Sequence, residues 1–217
     1  MNETLLENET LLEAVNNNLK QVKFSCRPFN HWIFNKIFTV KIADNLSDIP
    51  LRPSRIEQHY GRRESYNSSR VFLNADTCKT YPIFRNVVNV FSNQEIIKQI
   101  GNICGVNLSH GKLRVEYTLD SGDFWLEPHR DIKEKLLTFI VYLSTNPSSD
   151  TWGTVLFDRD LNPYCRMPYK LNFGFMFIPG DDTWHGFPKQ EIRNVRKSLI
   201  INYVTEDWQN IHELAIS

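Results

Sequence analysis

The chain reads as α+β, with helices first and an antiparallel sandwich or barrel after them. Two features of the sequence predict this. Near the start, Leu5, Leu12, Val15, Leu19 and Val22 recur at helical spacing, which makes one stripe of an amphipathic helix over residues 1–22. After Gly111 the pattern changes to short alternating or apolar runs divided by turns, as several short strands would give. With 217 residues and 41% apolar content, one domain over 1–217 with a sizeable core is expected.

The elements follow in order. Residues 2–7 repeat in tandem as 8–13, and the helix that contains them packs either on its own domain or, alternatively, against a second copy in a homodimer. Residues 29–40 are aromatic and β-branched and predict one or two early strands. From Arg52 to Arg70 the chain is polar and carries Arg52, Arg55, Arg62, Arg63 and Arg70. This stretch is a solvated loop with local ion pairs, or a lid whose guanidiniums (Arg62 and Arg63 above all) receive an anionic substrate. Ser92-Asn93-Gln94-Glu95 resembles a capping box ahead of Ile96, Ile97, Ile100 and Cys104, a helix ended by Gly101 or Gly105. Strands are then predicted over 113–119, 136–143, 154–157, 173–178 and 197–204, with a turn at 120–123 and a loop at 146–150. The tail, 206–217, reads as helical.

Composition narrows the function. The 25 basic and 25 acidic residues balance, so no global field draws the chain to nucleic acid or an anionic membrane. No apolar run approaches the roughly 18 residues of a membrane span. The start lacks the basic and apolar segments of a secretory signal. Cys26, Cys78, Cys104 and Cys165 are scattered without a CxxC pair, which favours reduced thiols and a cytoplasmic location.

The chemistry gathers at Leu126-Glu127-Pro128-His129-Arg130-Asp131-Ile132, Trp184-His185-Gly186 and Arg196-Lys197-Ser198. If the first segment is extended, His129 and Asp131 leave the same face. His185 from another strand would complete the two-histidine, one-carboxylate set of non-haem Fe(II) oxygenases. Trp125 and Trp184 flank the ligand segments and either line a substrate pocket or pack at its rim.

These motifs, in this order over residues 113–204, resemble the Fe(II)/2-oxoglutarate-dependent dioxygenases, in particular their prolyl-4-hydroxylase-like branch. The resemblance implies a double-stranded β-helix (jelly-roll) core flanked by N-terminal helices. It also implies roles: His129, Asp131 and His185 hold Fe(II), and Arg196 pairs in bidentate fashion with the distal carboxylate of 2-oxoglutarate. Ser198, Tyr142, Tyr117 and Thr138 add contacts to that co-substrate. The implied reaction uses O2, with ascorbate as a further candidate cofactor, and couples decarboxylation of 2-oxoglutarate to hydroxylation of a C–H bond. Asp131 stands where related halogenases have a small residue, so hydroxylation is expected. Asn202 stands where the alkylation-repair branch has a second arginine, which argues against nucleic acid. Trp152-Gly153-Thr154 departs from the Gly-Gly pair of many relatives. The substrate is expected to be a small anionic metabolite or sugar derivative, or alternatively a peptidyl proline. A catalytically silent binding module is the rival of another class.

Overall fold

A computed structural model describes residues 3–56, 60–145 and 149–215, with side chains described except at 3–9, 64 and 65. The first half supplies helices α1 (Glu3–Leu19), α2 (Val40–Ser47), α3 (Ala75–Thr80), α4 (Pro82–Phe91) and α5 (Gln94–Cys104). It also supplies strands β1 (Lys23–Ser25), β2 (His31–Phe34) and β3 (Arg70–Phe72), with a 3-10 turn at Arg63–Ser69 leading into β3. The second half is β4 (Lys112–Gly122), β5 (Leu126–His129), β6 (Lys135–Tyr142), β7 (Val155–Phe157), β8 (Pro163–Arg166), β9 (Gly174–Phe177), β10 (His185–Phe187) and β11 (Ile192–Val204), then a short turn at Ile211–Glu213. Two antiparallel sheets result, one of seven strands in the order β1-β2-β9-β6-β11-β4-β3 and one of four in the order β5-β10-β7-β8. No helix among the described residues is long and apolar enough to cross a membrane.

Helix α1 packs on its own domain. Leu11, Val15 and Leu19 are fully buried, with Leu12 and Val22 against the same core, while the Leu5 side chain lies outside the described residues. Asn93, rather than Ser92, caps α5 by accepting from Glu95 N at 2.9 Å, and Gly105 closes the helix in the left-handed region at φ 71°. Within 29–40 the strand is short, and Val40 opens α2 under a Thr39 cap. Helices α3 and α4 go beyond the sequence reading: α4 is rich in Val and Phe, yet it turns Pro82, Arg85 and Asn89 to one exposed face. The tail carries one 3-10 turn rather than a helix. Residues 146–148 of the 146–150 loop lie outside the described residues.

The seven-stranded sheet is buried on both faces. Leu113, Val115, Tyr117 and Leu119 of β4 pack with Leu199, Ile201 and Tyr203 of β11 against the helices. The hydroxyls of Tyr117 and Tyr203 donate to Leu46 O and Phe91 O at 2.7 Å each, and Lys197 Nζ donates to Ser47 O and Ile49 O. These three side chains tie sheet to helix layer. The opposite face meets the small sheet through a second, aromatic core of Phe124, Tyr142, Phe175, Phe177 and Phe187.

Asn172 joins the two halves. At φ 67° it sits in the left-handed region, which asparagine tolerates better than most residues. Its Oδ1 accepts from Ile37 N at 3.0 Å and Phe38 N at 2.9 Å, and its Nδ2 donates to Phe38 O at 2.8 Å. Asn172→Ala leaves buried amides unpaired and should cost about 2–4 kcal/mol in a denaturant titration. Asn172→Gly keeps the backbone freedom and should cost less.

Candidate active site

Strands β5 and β10 pair so that His129 and His185 lie directly opposite each other, with ring centroids 4.4 Å apart. Gly186 permits the approach, because a Cβ there would lie 2.9 Å from Leu126 O. The His129 Nδ1–H donates to Glu127 O at 2.8 Å, and that of His185 to Thr183 O at 2.9 Å. A carbonyl can only accept, so each ring carries its proton on Nδ1 and keeps the Nε2 lone pair for a metal. Asp131 supplies a carboxylate, and one ligand atom from each of the three residues lies within 4.8 Å of the others. Two neutral imidazoles and a carboxylate on one side of an open cavity fit a divalent iron with positions left for other ligands.

Strand β5 ends at His129, so Asp131 owes its place to hydrogen bonds rather than to strand alternation. Its Oδ1 accepts from Lys135 Nζ and its Oδ2 from Thr138 Oγ1, each at 2.6 Å. The Thr138 hydroxyl has one proton, which the carboxylate takes. The amide group of buried Asn202 lies 3.1 Å from the same oxygen and steadies it from behind. Burial alone would raise the Asp131 pKa, but the Lys135 ammonium, His185 and the two hydrogen bonds hold it well below the usual carboxylate range. Burial, and next its His185 neighbour, push His129 down to about 4. Burial also lowers His185, against the opposing pull of Asp131. All three ligands are therefore in their metal-binding protonation states at neutral pH.

From these ligands a cavity of about 320 Å³ runs between the sheets to Arg196 and Ser198. Arg196 is 6% exposed and boxed by the rings of Phe124, Tyr142, Tyr169 and Phe187, 4.8–5.9 Å from its Cζ. Its Nε donates to Trp152 O at 2.7 Å and its Nη1 to Asp120 Oδ2 at 2.6 Å. The fork foreseen as bidentate thus has its Nε edge taken and Nη1 committed to Asp120, with Nη2 left over. The Asp120 Oδ1 accepts from Arg63 Nη1 at 3.1 Å. Both Ser198 Oγ and Arg63 Nη2 are buried without a hydrogen-bond partner. An acidic co-substrate reaching from the metal ligands to this end would find donors waiting for it, so the residues fit the group.

Five expected contacts change. Tyr117 faces the helices and bonds Leu46 O, so it takes no part in the cavity. The apolar alternation of β4 marks the helix side, and the cavity side is Arg114, Glu116, Thr118 and Asp120. Thr138 lines the cavity but spends its proton on Asp131. Tyr142 accepts from Thr154 N and donates to Thr154 Oγ1, both at 2.9 Å, and so forms the wall behind Arg196. Neither tryptophan is in the cavity wall. Trp125 covers Gly61, where a Cβ would lie 2.4 Å from the indole, and Trp184 lies 4.8 Å under the Arg130 guanidinium. Of the five arginines at 52–70, Arg52, Arg55 and Arg62 are exposed, while Arg63 and Arg70 turn inward to buried carboxylates.

Sequence reasoning missed the acids on β4. Glu116 is buried between Arg70 and Arg114, and Arg114 also reaches Glu213 at 2.6 Å and stacks on Phe72 and Trp208. Burial would raise Glu116, but Arg70 and then Arg114 hold it well below its ordinary value. The available signal was the polar half of the β4 alternation.

Two outcomes are expected. Thr138→Val removes a hydrogen bond to a ligand carboxylate and should weaken Fe(II) or Co(II) binding about 10–100-fold in equilibrium dialysis. For pH, a folded-state pKa depressed to about 4 means that below about 6.5 the unfolded chain binds the proton that folded His129 refuses. Stability of the metal-free protein should therefore be full above about pH 6.5 and fall towards pH 4, a slope that His129→Gln should flatten in thermal melts.

No protein-family model matches the sequence, and no curated protein does. Solved structures do match. A prolyl hydroxylase from Trichoplax adhaerens, solved with a hypoxia inducible factor oxygen degradation domain peptide fragment, superposes with a TM-score of 0.58 at 14% identity, covering 95% of this chain and 94% of that one. Prolyl 4-hydroxylases from Phytophthora capsici give 0.57 at 14% identity over 92% and 65% of the two chains. A Pseudomonas putida prolyl-4-hydroxylase gives 0.54 at 12% identity over 90% and 95%. At such identities the likeness is one of fold, and the chain has the fold of the prolyl hydroxylases.

Proposed function

We propose that this protein is an Fe(II)/2-oxoglutarate-dependent dioxygenase that hydroxylates an unactivated C–H bond on a double-stranded β-helix core. One observation carries the reading. One cavity is lined by two histidines with free Nε2 atoms and the Asp131 carboxylate, and also by the buried Arg196 guanidinium beside the unpaired Ser198 hydroxyl and Arg63 Nη2. That is the arrangement a chelating dicarboxylic oxoacid needs. When bound, Fe(II) and 2-oxoglutarate would use O2 to convert the oxoacid to succinate and CO2 and to place the second oxygen atom on the substrate.

The chain's own residues position and exclude. His129 and His185 offer neutral nitrogens fixed by Glu127 O and Thr183 O. Asp131, held by Thr138 and Lys135, would supply the anionic ligand and lower the charge at the metal position. At the far end Arg196 and Ser198 receive the distal carboxylate. Ile140, Ile200 and Phe187 wall the path between and keep bulk water from it.

The cavity wall carries Arg63, Arg70, Arg114, Arg130, Lys135 and Arg196 against Asp131, Glu116 and Glu213. Asp120 on Arg63 and Arg196 and Asp181 on Arg130 reduce the excess to one positive charge, and this arginine-rich wall supports a small anionic metabolite or sugar derivative as substrate. A peptidyl proline is the alternative, since the Trichoplax neighbour was solved with a peptide. A reducing compartment such as the cytoplasm fits four free thiols.

The test is succinate release from 2-oxoglutarate with and without Fe(II). Release should require the metal and fall to background in His129→Ala and Asp131→Ala. Metal-independent or undiminished release overturns the reading in favour of a silent module. A mass-spectrometric screen for products gaining one oxygen atom then distinguishes metabolites from peptides.

A further inference from the structure

Arg63 enters the cavity from outside the sheets, on the 3-10 turn that precedes β3. It is not the anchor that the RxS motif points to, and its side chain is 17% exposed beside an Asp120 that is 1% exposed. Asp120 bridges two guanidiniums, with Oδ1 on Arg63 and Oδ2 on Arg196. The trio therefore holds one positive charge more than negative in a site walled by Phe124, which lies 5.7 Å from the Arg63 Cζ and 5.9 Å from that of Arg196.

A buried charge without a counter-charge is unfavourable by several kcal/mol, and a buried N–H without an acceptor adds to that. Both conditions meet here: Arg63 Nη2 has no partner, nor has Ser198 Oγ, which is fully buried in the same cavity. A single anion accepting from these donors would satisfy the charge and the hydrogen bonds together. Arg196 alone is a reduced anchor, since Trp152 O and Asp120 already occupy its Nε and Nη1.

We infer that Arg63 is the second guanidinium of the co-substrate slot, sharing the distal carboxylate with Arg196, and that Asp120 is the positioning residue that holds the two at one spacing. This rests on the oxoacid reading and deepens it. The consequence is selectivity. An oxoacid with a distal carboxylate gains contacts at Arg63 that a monocarboxylic oxoacid with the same chelating head cannot make.

The experiment compares dissociation constants of 2-oxoglutarate and of pyruvate for the full chain loaded anaerobically with Fe(II), in wild type, Arg63→Gln and Arg63→Lys. Losing a charge-assisted hydrogen bond to a carboxylate should weaken 2-oxoglutarate about 10–100-fold in Arg63→Gln. Pyruvate and Fe(II) affinities should stay within about 2-fold, and Arg63→Lys, which keeps the charge beside Asp120, should recover part of the loss. Equal 2-oxoglutarate affinity in wild type and Arg63→Gln overturns the role of Arg63 while leaving the oxoacid reading intact. Parallel losses for 2-oxoglutarate and pyruvate also overturn it, since they report a disturbed metal end. A metal-loaded wild type that binds no 2-oxoglutarate takes both down. If Arg63→Gln does not fold, Arg63→Lys decides: unchanged selectivity between the two acids counts against the inference.

Discussion

A guanidinium between two sheets is costly unless a carboxylate meets it, and here Asp120 meets Arg196 at 2.6 Å. The rest of the inner face is arranged around that contact. Because Asp120 has two oxygens it also reaches Arg63, which fixes the 3-10 turn over the end of β4. Two residues back along β4, Thr118 is fully buried, and Glu116 and Arg114 repeat the solution with Arg70 and Glu213. The outcome is a polar cavity with aromatic walls inside an otherwise dry sandwich. Among the described residues its charged groups form ion pairs, while Arg63 Nη2 and Ser198 Oγ are left without partners.

Burial on both faces of the large sheet explains what the sequence could and could not convey. Alternation along Leu113–Leu119 correctly indicates a strand, yet it cannot say which face meets the other sheet. The apolar side went to the helices, which took Tyr117 away from the cavity and gave the polar side the site. The same logic makes Lys197 point at α2 while its neighbours Arg196 and Ser198 point inward. Helix α4 has a clear exposed face at Pro82, Arg85 and Asn89, but its ten residues are rich in Val and Phe, which favour strands in isolation. By contrast the apolar residues of α1 and α5 recur at helical spacing and were legible.

The candidate metal ligands are legible for a different reason: ligand chemistry restricts residue type, so His129, Asp131 and His185 stand out without any structure. Supporting groups carry no such restriction. Thr138, Lys135 and Asn202 are ordinary residues made specific by the 2.6 Å and 3.1 Å contacts around Asp131. The Trp152-Gly153-Thr154 segment is similar. A Cβ on Gly153 would fall 1.6 Å from Met167 O, and the flanking residues hold Arg196 through the Trp152 carbonyl and Tyr142 through Thr154.

The Lys197 ammonium gives the helical half of the chain a role beyond covering a sheet. It sits in the strand between Arg196 and Ser198 and donates to carbonyls at and just beyond the end of α2. A descendant that shed its first fifty residues would expose this cation's apolar surroundings beside the anchor, and would also lose the β1–β2 edge of the large sheet. Shortening of this protein over evolutionary time is therefore constrained from its amino end: the helices could be exchanged for another cover only if the replacement again offered carbonyl oxygens at the same spot.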